Sequence, residues 1–387
     1  MRRIKYPRIN PIDASIILIC SIFIVWVYLK RNTVMVVHDP NAFHHPAMFE
    51  ISGIEQDLQN PRYLWSHNDS GDEGRLFFTR IPSFKKLDGM KDFYELIVKN
   101  KSTQEQVLNV DWEDIALSDQ GILYIGDIGN NFNWRKDLGI YRIDLKQAFK
   151  DPHLLENLEL FADHIPFVYE NQKEFPPLDW DKRKYDAEAL FVKDDQLFLI
   201  NKSFMGGTEN QIWIYAFPKD QEMVDWYERS LIEKMDQIQD PTQITQTKQI
   251  TQNPLRLKVA HTLTLSPPNL DKKSLFSPLS LRVTAADYWY PYLAILCYEH
   301  LFIFKWEGHQ LSPYPSNYLK LEPREYQQIE ALTWIKDLNG DVKLLIANEQ
   351  RKLFEIRLDK LKSDLPRMME LPKQKINGNN RLDGQID

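Results

Sequence analysis

The sequence predicts an all-β protein: a β-propeller of five to six four-stranded blades with a helical insertion, preceded by one N-terminal transmembrane helix. Three observations carry this. The 387 residues include 20 Phe, 17 Tyr and 10 Trp, a richness that favours strands. A pattern of short apolar runs, each set opened by an acidic residue, recurs along the chain. Amphipathic helical stretches are few, which argues against a parallel α/β sheet with its obligatory crossover helices.

The first element is the apolar run Ala14 to Leu29, 16 residues without a charge. As a helix it would span about 24 Å, somewhat less than a ~30 Å hydrocarbon core, and Lys30 and Arg31 can snorkel to cover the difference. Bulky Val27, Tyr28 and Leu29 do not suit a signal-peptidase site, so an uncleaved anchor over residues 1–35 is expected, with 36–45 as linker. Four basic residues precede the run and two follow it. The positive-inside bias then leaves the N-terminus in the cytoplasm and the bulk of the chain on the periplasmic side of a cell inner membrane, held by a single pass.

The whole chain carries 48 basic and 55 acidic residues, net −7. Residues 1–31 hold six of the bases and one acid, so the remainder is at −12. That balance argues against nucleic acid as a partner, because a nucleic-acid face must displace counterions with positive charge. The two cysteines, Cys20 in the anchor and Cys297 in a strand-like run, predict no intrachain disulfide, so the fold must rest on its core.

The repeat occupies residues 46–372. Its opening acids are Glu55, Glu113, Glu188, Asp287 and Glu330, at intervals of 58, 75, 99 and 43 residues. A second run follows and ends in Asn or Asp: Leu64 to Asn68, Leu123 to Asp127, Leu197 to Asn201, Leu344 to Asn348, with Glu299 in the fourth unit. Aromatic third runs (Leu76-Phe-Phe, Ile212-Trp-Ile-Tyr, Leu301-Phe-Ile-Phe) and alternating fourth runs (Tyr94 to Val98, Leu255 to Val259) complete the units. The long interval holds an insertion at 219–253. Within it, Met223, Trp226, Tyr227, Leu231 and Met235 have helical spacing, and 241–253 is low-complexity. A sixth blade would draw on the tail and the stretch near 265–282, and 373–387 reads as a disordered tail.

In a propeller the start of each first strand and the end of each second strand emerge on one face. The five opening acids should therefore ring one tunnel mouth, with Asp127 and Asn201 beside them. Crowded carboxylates must take up protons, pair with bases or hold a cation. An oxygen-only donor set favours Ca²⁺ over Zn²⁺, so Glu55, Glu113, Glu188, Asp287, Glu330, Asp127 and Asn201 are the expected metal ligands. His67 and Asp69, in the distinctive segment 65–73, are the expected catalytic pair. The Asn/Asp set would also serve as Asx turns with no ligand at all. No G-x-S-x-G or S-x-x-K nucleophile motif occurs.

At these acidic openings the chain resembles the calcium-dependent six-bladed propellers: the regucalcin/gluconolactonase, paraoxonase-like, strictosidine-synthase-like and phytase-like esterase groups. The strings Ser66-His-Asn-Asp-Ser-Gly, Asp111-Trp-Glu-Asp-Ile-Ala, Tyr124-Ile-Gly-Asp-Ile-Gly-Asn-Asn and Tyr185-Asp-Ala-Glu-Ala-Leu look like a set shared by uncharacterised exported bacterial propeller proteins. The likeness covers roughly residues 46–360. It implies a tunnel Ca²⁺ and a metal-dependent esterase, lactonase or phosphoesterase acting on a small molecule. The chain departs from that pattern in using Glu where a calcium site mixes Glu with several Asn. The alternative is a non-catalytic propeller presenting a face to an envelope protein or glycan.

Overall fold

The first strand of each repeat is buried along nearly its whole length, on both faces. In the computed structural model the described residues are 45–81, 91–148, 158–179, 182–202, 211–237, 254–265 and 280–356. The expected anchor, linker to residue 44, low-complexity loop and tail lie outside them. Among the described residues no helix is long and apolar enough to cross a membrane.

The described chain is mostly β. Sheet one contains β1 (Ile51–Gln56), β2 (Tyr63–Asn68), β3 (Arg75–Arg80) and β4 (Phe93–Asn100). Sheet two contains β5 (Trp112–Leu117), β6 (Ile122–Asp127), β7 (Gly139–Asp144) and β8 (Glu159–Tyr169), with the short helix α1 (Leu145–Ala148) between the last two. Sheet three contains β9 (Ala187–Lys193), β10 (Gln196–Asn201), β11 (Gln211–Lys219) and β12 (Leu255–Thr264), and helix α2 (Asp220–Gln237) follows β11 directly. Sheet four contains β13 (Val283–Trp289), β14 (Tyr292–Cys297), β15 (His300–Glu307), β16 (Gln310–Leu311) and β17 (Asn317–Lys320). After α3 (Pro323–Tyr326), sheet five shows β18 (Ile329–Lys336), β19 (Val342–Asn348) and β20 (Leu353–Ile356). Successive strands within each sheet pair antiparallel, except that β16 and β17 both pair with β15.

Burial falls along each sheet. β1, β2 and β6 are buried at every residue, whereas β4 and β8 alternate buried with part-exposed positions, the pattern of a strand with one face in solvent. First strands therefore lie innermost. They also contact one another in a cycle: β1 packs on β5, β5 on β9, β9 on β13, β13 on β18, and β18 back on β1.

An apolar core fills each interface in that cycle. Trp65 and Leu76 meet Ile125 and Leu160 between sheets one and two. Tyr124 and Phe167 meet Leu190 and Tyr215 between two and three. Phe191 and Ile214 meet Ile295 and Trp306 between three and four. Ala294 and Leu301 meet Trp334 and Ile346 between four and five. Ile54 and Phe77 meet Ala331 and Leu345 between five and one. Burial of this apolar surface, at about 25 cal/mol per Å², is what drives each contact.

The outer strands add main-chain bonds between sheets. β8 pairs parallel with β4 at one end (Ile97↔Glu159) and with β12 at the other (Leu255↔Phe167). The expected insertion contains α2, whose Met223 enters the core between sheets two and three. Asp220 in its first turn takes both Nε and Nη2 of Arg142 (2.6 Å each) and the Tyr124 hydroxyl (2.6 Å). The described residues hold five antiparallel groups of strands, the first three joined through β8 into one twelve-stranded sheet. Most of the segments expected to supply a sixth lie outside them.

Candidate cation site

Each innermost strand carries an irregularity at its second residue. Ile51 and Gly53 pair with Asn68 and His67, leaving Ser52 over. The same shift leaves Glu113, Glu188, Thr284 and Glu330 over in β5, β9, β13 and β18. Such a bulge re-aims its extra side chain. The equivalent set is therefore Ser52, Glu113, Glu188, Thr284 and Glu330. This corrects the expected ring at two places. Glu55 and Asp287 sit three residues farther along their strands, at the level of Thr333.

That second level is closed. The Thr333 hydroxyl lies 3.2 Å from Glu55 Oε1 and 3.3 Å from Asp287 Oδ2. Asp287 also accepts from the Trp334 and Tyr288 amides (2.7 and 2.6 Å). Asp114 accepts from Leu190 N at 2.8 Å and Ala286 N at 3.5 Å, so one carboxyl spans three sheets. Burial, then the neighbouring Asp287, pushes Glu55 well above the usual carboxylate range. Burial likewise raises Asp114 well above it and Asp287 to about 7.

The first level is open and joined by loop residues. Asp69 follows β2, Asp111 precedes β5 and Glu113 occupies the β5 bulge; one oxygen from each lies within 4.8 Å of the others. Asn109 ties the two loops. Its amide donates to the Asn68 and Asp69 carbonyls (3.1 and 2.8 Å), and its own oxygen accepts from Trp112 N (3.0 Å). Gly129 lets the backbone approach the acids closely. A Cβ there would stand 2.1 Å from Glu113 Oε1 and 2.3 Å from Asp111 Oδ2.

Glu188, Asp186, Glu330, Glu349 and Tyr298 surround this trio. Lys202 donates to the Glu188 carboxylate. Burial alone would lower the Lys202 pKa, but Glu188 and Asp186 hold it above the ordinary lysine value. Burial, then Glu188 and Asp69, pushes Glu113 well up, and burial with Asp69 takes Asp111 to about 6. Burial raises Glu188 to about 7 despite the lysine. Carboxyls crowded in this way favour taking up a proton or holding a cation.

The remaining expected site residues do other work. Asp127 accepts from Asp111 N (3.2 Å) and Arg135 Nη2 (2.8 Å). Asn201 accepts from Trp213 N (2.5 Å) and donates to Lys184 O (3.3 Å). Asn68 and Asn348 bond backbone in the same way. These four side chains clasp the ends of β2, β6, β10 and β19 to the segments entering β1, β5, β9 and β18. In sheet four the equivalent of Asn68 is Cys297, paired with Val283, not Glu299. His67 is fully buried, its Nδ1 3.0 Å from Asn68 O, its ring edge-on to Trp112, and burial takes it down to about 4. Gly53 makes room for it, since a Cβ there would lie 2.4 Å from Nε2. The expected base is thus a neutral packing residue between sheets one and two. Asp69, by contrast, stands in the open cluster.

The sequence pattern does not mark Asp111, Asp186 or Tyr298 as site residues. A signal existed for the first two: Asp111-Trp-Glu113 and Asp186-Ala-Glu188 share the spacing Asp-x-Glu. Tyr298 had none.

No family model matches the chain, and no curated protein does. Solved structures similar to it include a glucose dehydrogenase (9% identity, 80% of this chain and 97% of that chain, TM-score 0.37). Others are PorZ, a surface component of the type-IX secretion system of Porphyromonas gingivalis (11%, 79% and 32%, TM-score 0.32), and Saccharomyces cerevisiae Sqt1 (10%, 76% and 70%, TM-score 0.31). Likenesses this distant carry no argument about activity. What the residues define is an all-β protein with an acidic trio able to hold a metal ion.

Proposed function

We propose that this chain is a β-propeller whose acidic mouth binds a divalent cation through Asp69, Asp111 and Glu113. The propeller reading is supported by the cycle of innermost strands and by an apolar core in every interface, including the last back to the first. The cation reading is carried by the convergence of three carboxylate oxygens within 4.8 Å from three separate segments. Oxygen donors without His or Cys fit Ca²⁺, which takes further oxygens from backbone or water. The ion would polarise an oxygen of a small-molecule ligand. If that ligand is an ester, lactone or phosphoester, a proton acceptor must come from the mouth carboxylates, since His67 is enclosed.

The apolar run 14–29 and its flanking charges support an inner-membrane anchor with the β domain on the periplasmic side. Elemental analysis and calorimetry on the full chain test the cation. The expected result is one Ca²⁺ per chain and a melting temperature lowered by chelator. Absence of retained metal, with melting indifferent to Ca²⁺, rejects the reading.

A further inference from the structure

We infer that the loop Gly129–Arg135 is a platform for a neutral saccharide reaching into the acidic mouth. Phe132 and Trp134 are each 64% exposed, with ring centroids 6.1 Å apart in an edge-to-face pair. Large aromatic rings held in water cost free energy unless something covers them.

These two rings are not on a loose segment. Asn130 donates from its amide nitrogen to Asp186 Oδ1 (2.8 Å) and from Nδ2 to Tyr185 O (3.0 Å), while its own oxygen accepts from Arg135 N (3.0 Å). Asn133 accepts from Tyr185 N (2.8 Å), and its carbonyl from Gln172 Nε2 (3.1 Å). Arg135 Nη1 closes the loop on Gly129 O (2.9 Å). The ordering entropy is already spent in folding, so a ligand stacking here loses less on binding.

The platform adjoins the candidate site. Gly129 abuts Glu113 and Asp111, and Phe132 is three residues on, so their Cα atoms are at most about 11 Å apart. The surrounding charge selects the ligand. Arg135 is paired with Asp127 and Asp137 (2.8 and 3.1 Å), and Lys136 lies 5.3 Å from the Phe175 ring. Arg135 and Lys136 are thus already engaged and the mouth beyond them is acidic, which disfavours an anion. A sugar satisfies both halves: its apolar face covers the rings, and its hydroxyls bond to carboxylates or complete the shell of a bound ion. The inference rests on reading the mouth as a ligand site, but not on the metal.

The test is fluorescence and calorimetric titration of the full chain with cellotetraose, maltotetraose, chitotetraose and an oligolysine peptide, each with Ca²⁺ and with chelator. At least one oligosaccharide should bind, and F132A/W134A should weaken it about tenfold or more with unchanged melting. Binding by the double variant equal to the parent, no binding by any oligosaccharide, or binding of oligolysine alone would each overturn the inference. Sugar binding that persists in chelator, with no retained metal, would remove the cation reading and leave this one standing.

Discussion

Glu55 and Asp287 share one hydroxyl. Thr333 Oγ1 sits 3.2 Å from the first and 3.3 Å from the second, yet it has a single proton to give. At least one carboxyl must be protonated and donate for both contacts to be hydrogen bonds. Asp114 adds to the repulsion on Glu55, so the folded state retains protons that the unfolded chain releases.

This sets the sign of the pH dependence. Asp287 moves from the ordinary 3.8 to about 7, and Glu55 moves the same way. The folded chain binds more protons in that window, so stability should fall as pH rises from about 4 toward 7. Denaturant melts in chelator should show a higher midpoint at pH 5.5 than at pH 7.5. Glu55→Gln, which keeps the neutral shape, should flatten the slope, and an unchanged slope would contradict the shared-proton account.

Asp111→Asn and Glu113→Gln should each weaken Ca²⁺ binding by about tenfold or more, a loss of about 1.4 kcal/mol. Neither should lower stability in chelator, because each relieves repulsion among buried acids. Calorimetry beside melting curves separates the two effects. Severe destabilisation with no metal in the parent would make the acids architectural.

Gly129→Ala should abolish cation binding outright. Its methyl would meet Glu113 Oε1 at 2.1 Å and Asp111 Oδ2 at 2.3 Å, so those carboxylates must swing aside, with little loss of stability. An alanine variant that retains full Ca²⁺ affinity would show that the ion lies elsewhere.

Asn201→Ala should do the reverse. It leaves Trp213 N without the acceptor now at 2.5 Å, costing about 1–3 kcal/mol, with Ca²⁺ affinity unchanged. A drop in affinity would restore Asn201 to the site.

Much of this was legible because alternation and aromatic content are written in the sequence. The runs Leu64 to Asn68 and Leu197 to Asn201 fall within β2 and β10, and the helical period beginning at Asp220 is α2. The bulge was not legible. It is a matter of register, and a first-strand acid at position two or position five reads alike in sequence. So Glu55 and Asp287 were placed with Glu113, although Ile51-Ser-Gly-Ile and Val283-Thr-Ala-Ala, set against Trp112-Glu-Asp-Ile and Ile329-Glu-Ala-Leu, give the true alignment. The enclosure of His67 was hidden too, because only the approach of β1 and β5 creates it.

The parallel pairing of β8 with both β4 and β12 gives the molecule a mechanical asymmetry. Sheets one to three cannot slide apart without breaking the β8 ladders at the rim. Among the described residues, sheet four meets sheet three through one long main-chain bond (Thr264 N to Pro313 O, 3.4 Å), and sheet five is tied to its neighbours by side-chain packing and side-chain–backbone bonds. Thermal breathing should therefore begin in the arc from β13 to β20, and deuterium should enter those amides first. The acidic trio, borne by the first two sheets, sits on the stiff side of that seam.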